Sequence, residues 1–203
     1  MTKYNRNNPL RRWIHTAREY GEIANIGEIG RRYFAMNAFD GILTIIGVLM
    51  GNMGAGVTDA HIVVTTGLST CVAMGISGLW GSYLTESAER KHDLAELGSQ
   101  TLTDLKDTRL GRASRYAVVM VAIIDGISPF LAALIVLIPF FTINALPNIQ
   151  WAYFASLGGG LLALFGLGVF LGTISRENLL ISGTKTVIAG LLSIFIGWLL
   201  GKG

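Results

Sequence analysis

Five long stretches of this chain carry almost no charge, at about 33–53, 62–84, 116–141, 151–174 and 181–201. A helix needs about 20 residues to cross the hydrocarbon core of a bilayer, and each stretch is long enough. Inside lipid every backbone N–H and C=O must find a partner within the protein, so runs of this kind specify helices and not open sheet. Of the 203 residues 51% are hydrophobic and 14% charged, whereas a soluble domain carries about 25% charge. The expected fold class is all-α, a polytopic membrane protein with five transmembrane helices plus an N-terminal amphipathic helix. Residues 1–32 form the cytoplasmic N-terminal amphipathic segment. Residues 33–203 form the five-helix transmembrane domain, with a short cytoplasmic helical loop at about 86–115.

The N-terminal helix is read from Asn8-Pro9, an N-cap followed by proline at the first helical position. Leu10, Trp13, Ile14 and Ala17 then recur at helical spacing, with Arg11, Arg12, Arg18, Glu19 and Glu22 on the other faces. Two readings fit: a helix lying on the membrane surface, or one packed on the protein's own cytoplasmic loops. The polar first 29 residues hold no short apolar core with a small-residue cleavage site, so no signal peptide is expected. Cys71 is the only cysteine, which excludes an intrachain disulfide.

Lys and Arg set the orientation. Lys3, Arg6, Arg11, Arg12, Arg18, Arg31 and Arg32 precede the first span, and Arg90, Lys91, Lys106, Arg109, Arg112 and Arg115 lie between the second and third. Arg176 and Lys185 flank the turn from the fourth to the fifth, while the 52–61 and 142–150 loops have neither residue type. The positive-inside rule puts the N-terminus in the cytoplasm and the C-terminus outside, as five crossings require. The net charge of +3 is thus sorted by membrane side and does not point to a nucleic-acid partner. Lys185, close to the start of the fifth span, is placed to snorkel to the interface. The second span is rich in hydroxyls (Thr65, Thr66, Ser69, Thr70, Ser77) and is expected inside the bundle.

Asp40 stands inside the first span, seven residues beyond Tyr33 and followed by Gly41, roughly 10 Å from the start of the run. A carboxylate at the centre of a spanning helix costs at least about 2.5–3.5 kcal/mol, and intramembrane acids are functional by default. A weak internal repeat brings in a second acid: Arg32-Tyr33 leads to Asp40-Gly41-Ile42, and Arg115-Tyr116 leads to Asp125-Gly126-Ile127. Gly41, Gly126 and Pro129 are expected to interrupt their helices, and backbone carbonyls released beside a carboxylate make an oxygen-rich cation site. The competing readings are a structural acid satisfied by a neighbouring Ser, Thr or Arg, and a chance similarity between apolar helices. Met36, one turn before Asp40, and Met74 in the second span are soft candidate ligands that would favour Fe²⁺ or Mn²⁺ over Mg²⁺. Methionines also commonly fill gaps in a core.

Beyond the second span Glu86, Glu89, Asp93 and Glu96 fall on one face of a continuing helix, with His92 three residues after Glu89. A Glu-x-x-His pair brings a carboxylate and an imidazole together, as in carboxylate-bridged iron sites. This face reads either as a cytoplasmic metal collector or as an ordinary solvated surface. Asn52, Asp59 and His61, near the outer loop, read either as groups that help release an ion or, more commonly, as ordinary loop polar groups. Nucleophile elbow, Walker loop, HExxH and paired CxxC patterns are all missing, so no enzyme activity is expected.

These residues together resemble the vacuolar iron transporter family. The stretch from Arg31-Arg32-Tyr33-Phe34-Ala35 to Phe39-Asp40-Gly41-Ile42 is similar to the family's first span, whose Asp-Gly pair carries the metal-path carboxylate. Ile76-Ser77 through Gly81-Ser82-Tyr83-Leu84 to Glu89 resembles the second span and its acidic exit. Leu137-Ile138-Pro139-Phe140, Leu162-Ala163-Leu164-Phe165 with Gly168, Ser182-Gly183, Gly190 and Ile196-Gly197 resemble the later spans, so the similarity covers roughly 28–201. The resemblance implies a homodimer with its path at the subunit interface, moving Fe²⁺ or Mn²⁺ out of the cytosol. It implies no permanently bound cofactor; the metal is cargo, and membrane lipids are the other partners. Two positions depart from the family: Phe39 stands where Asn is usual, and Gly78 aligns with the family's second-span methionine. The inserted metal-binding helical domain is cut to about 30 residues.

The expected function is export of Fe²⁺ or Mn²⁺ from the cytoplasm by proton antiport. Asp40 would be the membrane ligand, with Gly41, Met36, Met74 and Asp125 on the path and Glu86, Glu89, His92, Asp93 and Glu96 as collectors. Metal binding to a carboxyl group displaces its proton, which couples the two ions. The alternative is a metal-binding membrane scaffold or sensor that moves nothing. The host membrane would be the cell membrane in a prokaryote and the vacuolar membrane in a eukaryote.

Overall fold

A computed structural model of the chain describes residues 9–142 and 147–202, with side chains from residue 15 onward. Asn8, Lys3 and Arg6 lie outside the described residues, as do the side chains of Leu10, Arg11, Arg12, Trp13 and Ile14. Six helices are present among them: α1 (Pro9–Ile23), α2 (Ile26–Gly54), α3 (Ala60–Thr101), α4 (Arg109–Phe141), α5 (Ile149–Ser175) and α6 (Leu179–Leu200). No strand occurs among the described residues. Helices α2 to α6 are each long and apolar enough to cross a membrane. The all-α polytopic architecture expected from the sequence is the one observed.

The helices outrun the apolar stretches. α2 begins at Ile26, α3 continues to Thr101 and α4 starts at Arg109. Helix propagation is easy once a turn exists, so an uncharged run marks the part that lipid can cover and not where the helix stops. Asn25 separates α1 from α2 in a left-handed conformation (φ 52), and its side-chain amide donates to Glu28 Oε2 at 2.9 Å. Asp59 starts α3 by accepting from the His61 N–H at 2.8 Å. Asn148 and Asn178 cap α5 and α6, accepting from the backbone N–H groups of Trp151 and Leu180.

Two expectations are corrected. Pro129 does not interrupt its span: α4 runs unbroken through both Pro129 and Pro139. Spanning helices tolerate proline where neighbouring helices and side chains satisfy the groups it releases. Nor is α3 buried within the chain. Only 17% of its apolar window is buried, and Thr65, Thr66, Ser69 and Ser77 are exposed. Its threonines serve themselves: Thr66 and Thr70 donate to the carbonyls of Ile62 and Thr66, both at 2.8 Å. A hydroxyl bonded to its own helix does not require a polar neighbour.

The chain divides into two compact units, residues 1–33 with 79–124 and residues 34–78 with 125–203. In the first, the second half of α1 is tied to the start of α4. Arg109 pairs with Glu19 at 3.1 Å, Arg112 donates to the Tyr20 hydroxyl at 3.3 Å, and the Tyr20 and Tyr116 rings lie 6.1 Å apart. For these residues the reading of α1 as packed on its own chain is favoured over a free surface helix.

The second unit holds the core. Ala38, Ile42, Ile45, Ile46 and Leu49 form the buried row of α2, facing Val63 and Cys71 of α3, Ala133, Val136, Leu137 and Phe140 of α4, and Leu157 and Leu164 of α5. Tyr153 packs edge-on against Phe140 at 5.0 Å and donates its hydroxyl to the Val57 carbonyl at 3.0 Å. α5 and α6 meet through small residues: Gly168 faces Ser182 and Gly183, and Thr186 Oγ1 donates to the Leu164 carbonyl at 2.7 Å. Close backbone approach of this kind is how helices associate where lipid removes the hydrophobic drive.

Candidate functional site

Asp40 is the fifteenth of the 29 residues of α2, which puts it at the middle of the helix. Its neighbours on the inward face, Ala38, Ile42 and Gly41, are buried, while Asp40 is exposed on the surface of the chain. Met36, one turn earlier, is 60% exposed. Met74 is half-buried on α3. The soft and hard candidate ligands of α2 thus share an outward face, with no third His, Cys, Asp or Glu gathered there. No cluster of three such groups able to hold a metal occurs anywhere among the described residues.

Gly41 does not break α2. It lets α2 reach α4: a Cβ at Gly41 would lie 2.5 Å from the Pro129 carbonyl oxygen and 2.7 Å from its Cα. Gly78 has the same role on α3, where a Cβ would lie 2.9 Å from the Asp125 carbonyl oxygen. Gly75, one turn before it, faces the Gly126 carbonyl. The departure from methionine at Gly78 therefore has a packing reason, since any side chain there would push α3 off the Asp125–Gly126 backbone. Phe39, the other departure, is half-buried and packs on the core.

Asp125 differs sharply from Asp40. It is 8% exposed, and Ser128 one turn on is 3% exposed. Asn37 of α2, which the sequence reading passed over, donates its side-chain amide to Asp125 Oδ1. The proline at 129 has no N–H for the Asp125 carbonyl, its partner position in a regular helix. The two Asp-Gly pairs suggested as a repeat therefore occupy unlike environments: one acid faces outward and the other is held in the core by an asparagine. Asn37 carries a signal legible in hindsight, being an amide side chain inside the apolar part of α2, three residues before Asp40.

The acidic stripe on α3 is not assembled into a site. Glu86 is fully engaged: Oε1 accepts from the Tyr33 hydroxyl and Oε2 from Arg90 Nε, both at 3.0 Å. The Glu86 and Arg90 side chains are only 15% and 16% exposed. Glu89, His92, Asp93 and Glu96 are exposed along the helix, and Glu96 accepts from Gln100 at 3.5 Å. Asn52 donates to Thr66 Oγ1 and Asp59 caps α3, the ordinary roles expected of them. A cleft of about 820 Å³ along α2 and α6, lined among others by Leu43, Gly47, Gly51, Leu192 and Ile196, holds no titratable side chain. Lys185 pairs with Glu177 at 3.3 Å, at the α5–α6 turn.

Five helices long and apolar enough to cross a membrane, two of them with a carboxylate inside the apolar run, define a polytopic integral membrane protein. Residues 32–109 match the VIT family, and the chain is 32% identical over 173 residues to the uncharacterized protein MJ0645 of Methanocaldococcus jannaschii, covering 84% of this chain and 87% of that protein. The chain belongs to the VIT family. Membership points to metal-ion transport across a membrane. The matched stretch runs from the start of the apolar part of α2 to the first residue of α4; it includes Asp40 and the acidic stripe and ends before Asp125.

Proposed function

We propose that this protein exports Fe²⁺ or Mn²⁺ from the cytoplasm in exchange for protons, working as a homodimer. The observation that carries the reading is the outward exposure of Asp40 at mid-helix of α2, with Met36 on the same side. A carboxylate at that depth cannot face hydrocarbon without a penalty of several kcal/mol, about 2.5–3.5 on insertion scales. A second copy set against this face encloses it. Two copies bring two Asp40 carboxylates and two thioethers to one seam, supplying the ligands that a single chain lacks. Oxygen and thioether donors together suit Fe²⁺ and Mn²⁺ better than Mg²⁺. Proton and metal compete for the same oxygens, so loading one releases the other.

Glu89, His92, Asp93 and Glu96 then serve as the exposed cytoplasmic collectors, whereas Glu86 contributes through its bonds to Tyr33 and Arg90. The N-terminus lies in the cytoplasm and the C-terminus outside. In proteoliposomes Asp40→Asn should abolish Mn²⁺ or Fe²⁺ uptake driven by a pH gradient while the helical content stays unchanged. Undiminished flux in that variant would remove Asp40 from the mechanism.

A metal-binding scaffold or sensor is the second reading, resting on the departures from the family at Phe39 and Gly78 and on the exposed carboxylates of the α3 stripe. It expects saturable metal binding, lost on Glu89→Ala, with no flux through the intact protein.

A further inference from the structure

We propose that the buried Asp125–Asn37 pair is a proton-binding site separate from the metal carboxylate, and that it stores a proton exchanged during transport. The proposal rests on the transport reading for its role and on the pair's own chemistry for its existence.

The pair is built to hold a carboxyl group in either charge state. As a carboxylate, Asp125 only accepts, and Asn37 Nδ2 donates to Oδ1 as observed. When a proton binds to a carboxylate oxygen, the new O–H becomes a donor. A half-turn of the Asn37 amide then presents Oδ1 as the acceptor. The group that enters and leaves is one proton. Lysine or arginine in place of Asn37 would fix the charged form, and an aliphatic residue would leave it without this bond. An asparagine supports both.

Asp125 is 8% exposed, Gly78 and Gly75 bring the α3 backbone against Asp125–Gly126, and Gly41 brings α2 against Pro129. Three helices thus meet closely around the pair, with glycines at the contacts. The titratable groups of this unit's helices are Asp40 on α2, His61 and Cys71 on α3, Asp125 on α4, Tyr153 on α5 and Lys185 on α6. Asp40 is the nearest in sequence to the pair, one turn beyond Asn37 on α2, so a charge change at Asp125 is felt by the metal ligand through one short stretch of helix. The proton held at Asp125 is then additional to the one that metal displaces at Asp40, and linkage makes the effect of each site on the other reciprocal.

Two measurements on the full chain test this. The first is infrared difference spectroscopy across a pH step, with the protein in lipid. Wild type should show the carbonyl band of a protonated carboxyl group, kept in Asp40→Asn, lost in Asp125→Asn and shifted in Asn37→Leu. Persistence in Asp125→Asn of the component that survives Asp40→Asn, or its absence from wild type at every pH, would overturn the proposal. So would a spectrum unchanged by Asn37→Leu, a result that does not depend on the Asp125 variant folding. The second measurement counts protons exchanged per Mn²⁺ in proteoliposomes, where Asp125→Asn should lower the ratio by at least one proton. An unaltered ratio would refute the storage role. Wild-type vesicles that move no Mn²⁺ would sink the transport reading alone, because the infrared band judges the proton site separately.

Discussion

At the scale of single residues, one type of change matters most here: glycine at a helix crossing. Gly78 faces the Asp125 carbonyl at a distance no Cβ tolerates, and Gly41 does the same against Pro129. Gly78→Met would restore the residue usual in the family, yet it should destabilise this chain by about 1–3 kcal/mol, the usual cost of overpacking a tight core. A lowered midpoint of unfolding in detergent checks it. A variant as stable as wild type would mean that α3 and α4 do not meet there. The two acids were visible in the sequence, but their difference was not. Exposure of Asp40 and burial of Asp125 follow from which helix face meets which neighbour, and an apolar helix with no polar stripe does not declare its faces. Asn37 was missed for the same reason, since its importance lies wholly in what stands opposite.

At the scale of elements, threonine separates bonding within a helix from bonding between helices. Thr186 on α6 donates to the Leu164 carbonyl of α5, while Thr70 on α3 donates only to its own helix at Thr66. Thr186→Val should cost roughly 0.6–1.7 kcal/mol, the range for interhelical bonds in membrane proteins. Thr70→Val should cost far less. Equal effects in a denaturation series would show that the α5–α6 bond adds nothing. The hydroxyl content of α3 was a misleading cue for burial, because Thr66 and Thr70 bond to carbonyls of their own helix. Pro129 misled in the opposite sense. A proline reads as a break in sequence, yet α4 carries it within a continuous helix.

For the whole molecule, the proposed dimer is the inference with most to lose. Met36 and Asp40 share an exposed side of α2, so a cysteine at 36 should meet its equivalent in a second copy. In a Cys71→Ala background, which removes the buried native thiol, Met36→Cys should give an oxidised dimer on a denaturing gel under mild oxidant in membranes. A product that stays monomeric at every oxidant level, while the protein transports, would place the seam on another face.

The number of spanning helices, their order and the presence of intramembrane acids were fixed by the sequence itself. The physical reason is that a bilayer admits only long apolar helices, which makes composition along the chain nearly sufficient. Tertiary structure alone decided which acid is held in the core, which glycines are contacts and not hinges, and that Glu86 is occupied by Tyr33 and Arg90. Those outcomes depend on pairings between residues up to 88 positions apart, and no local pattern encodes which faces of five apolar helices will meet.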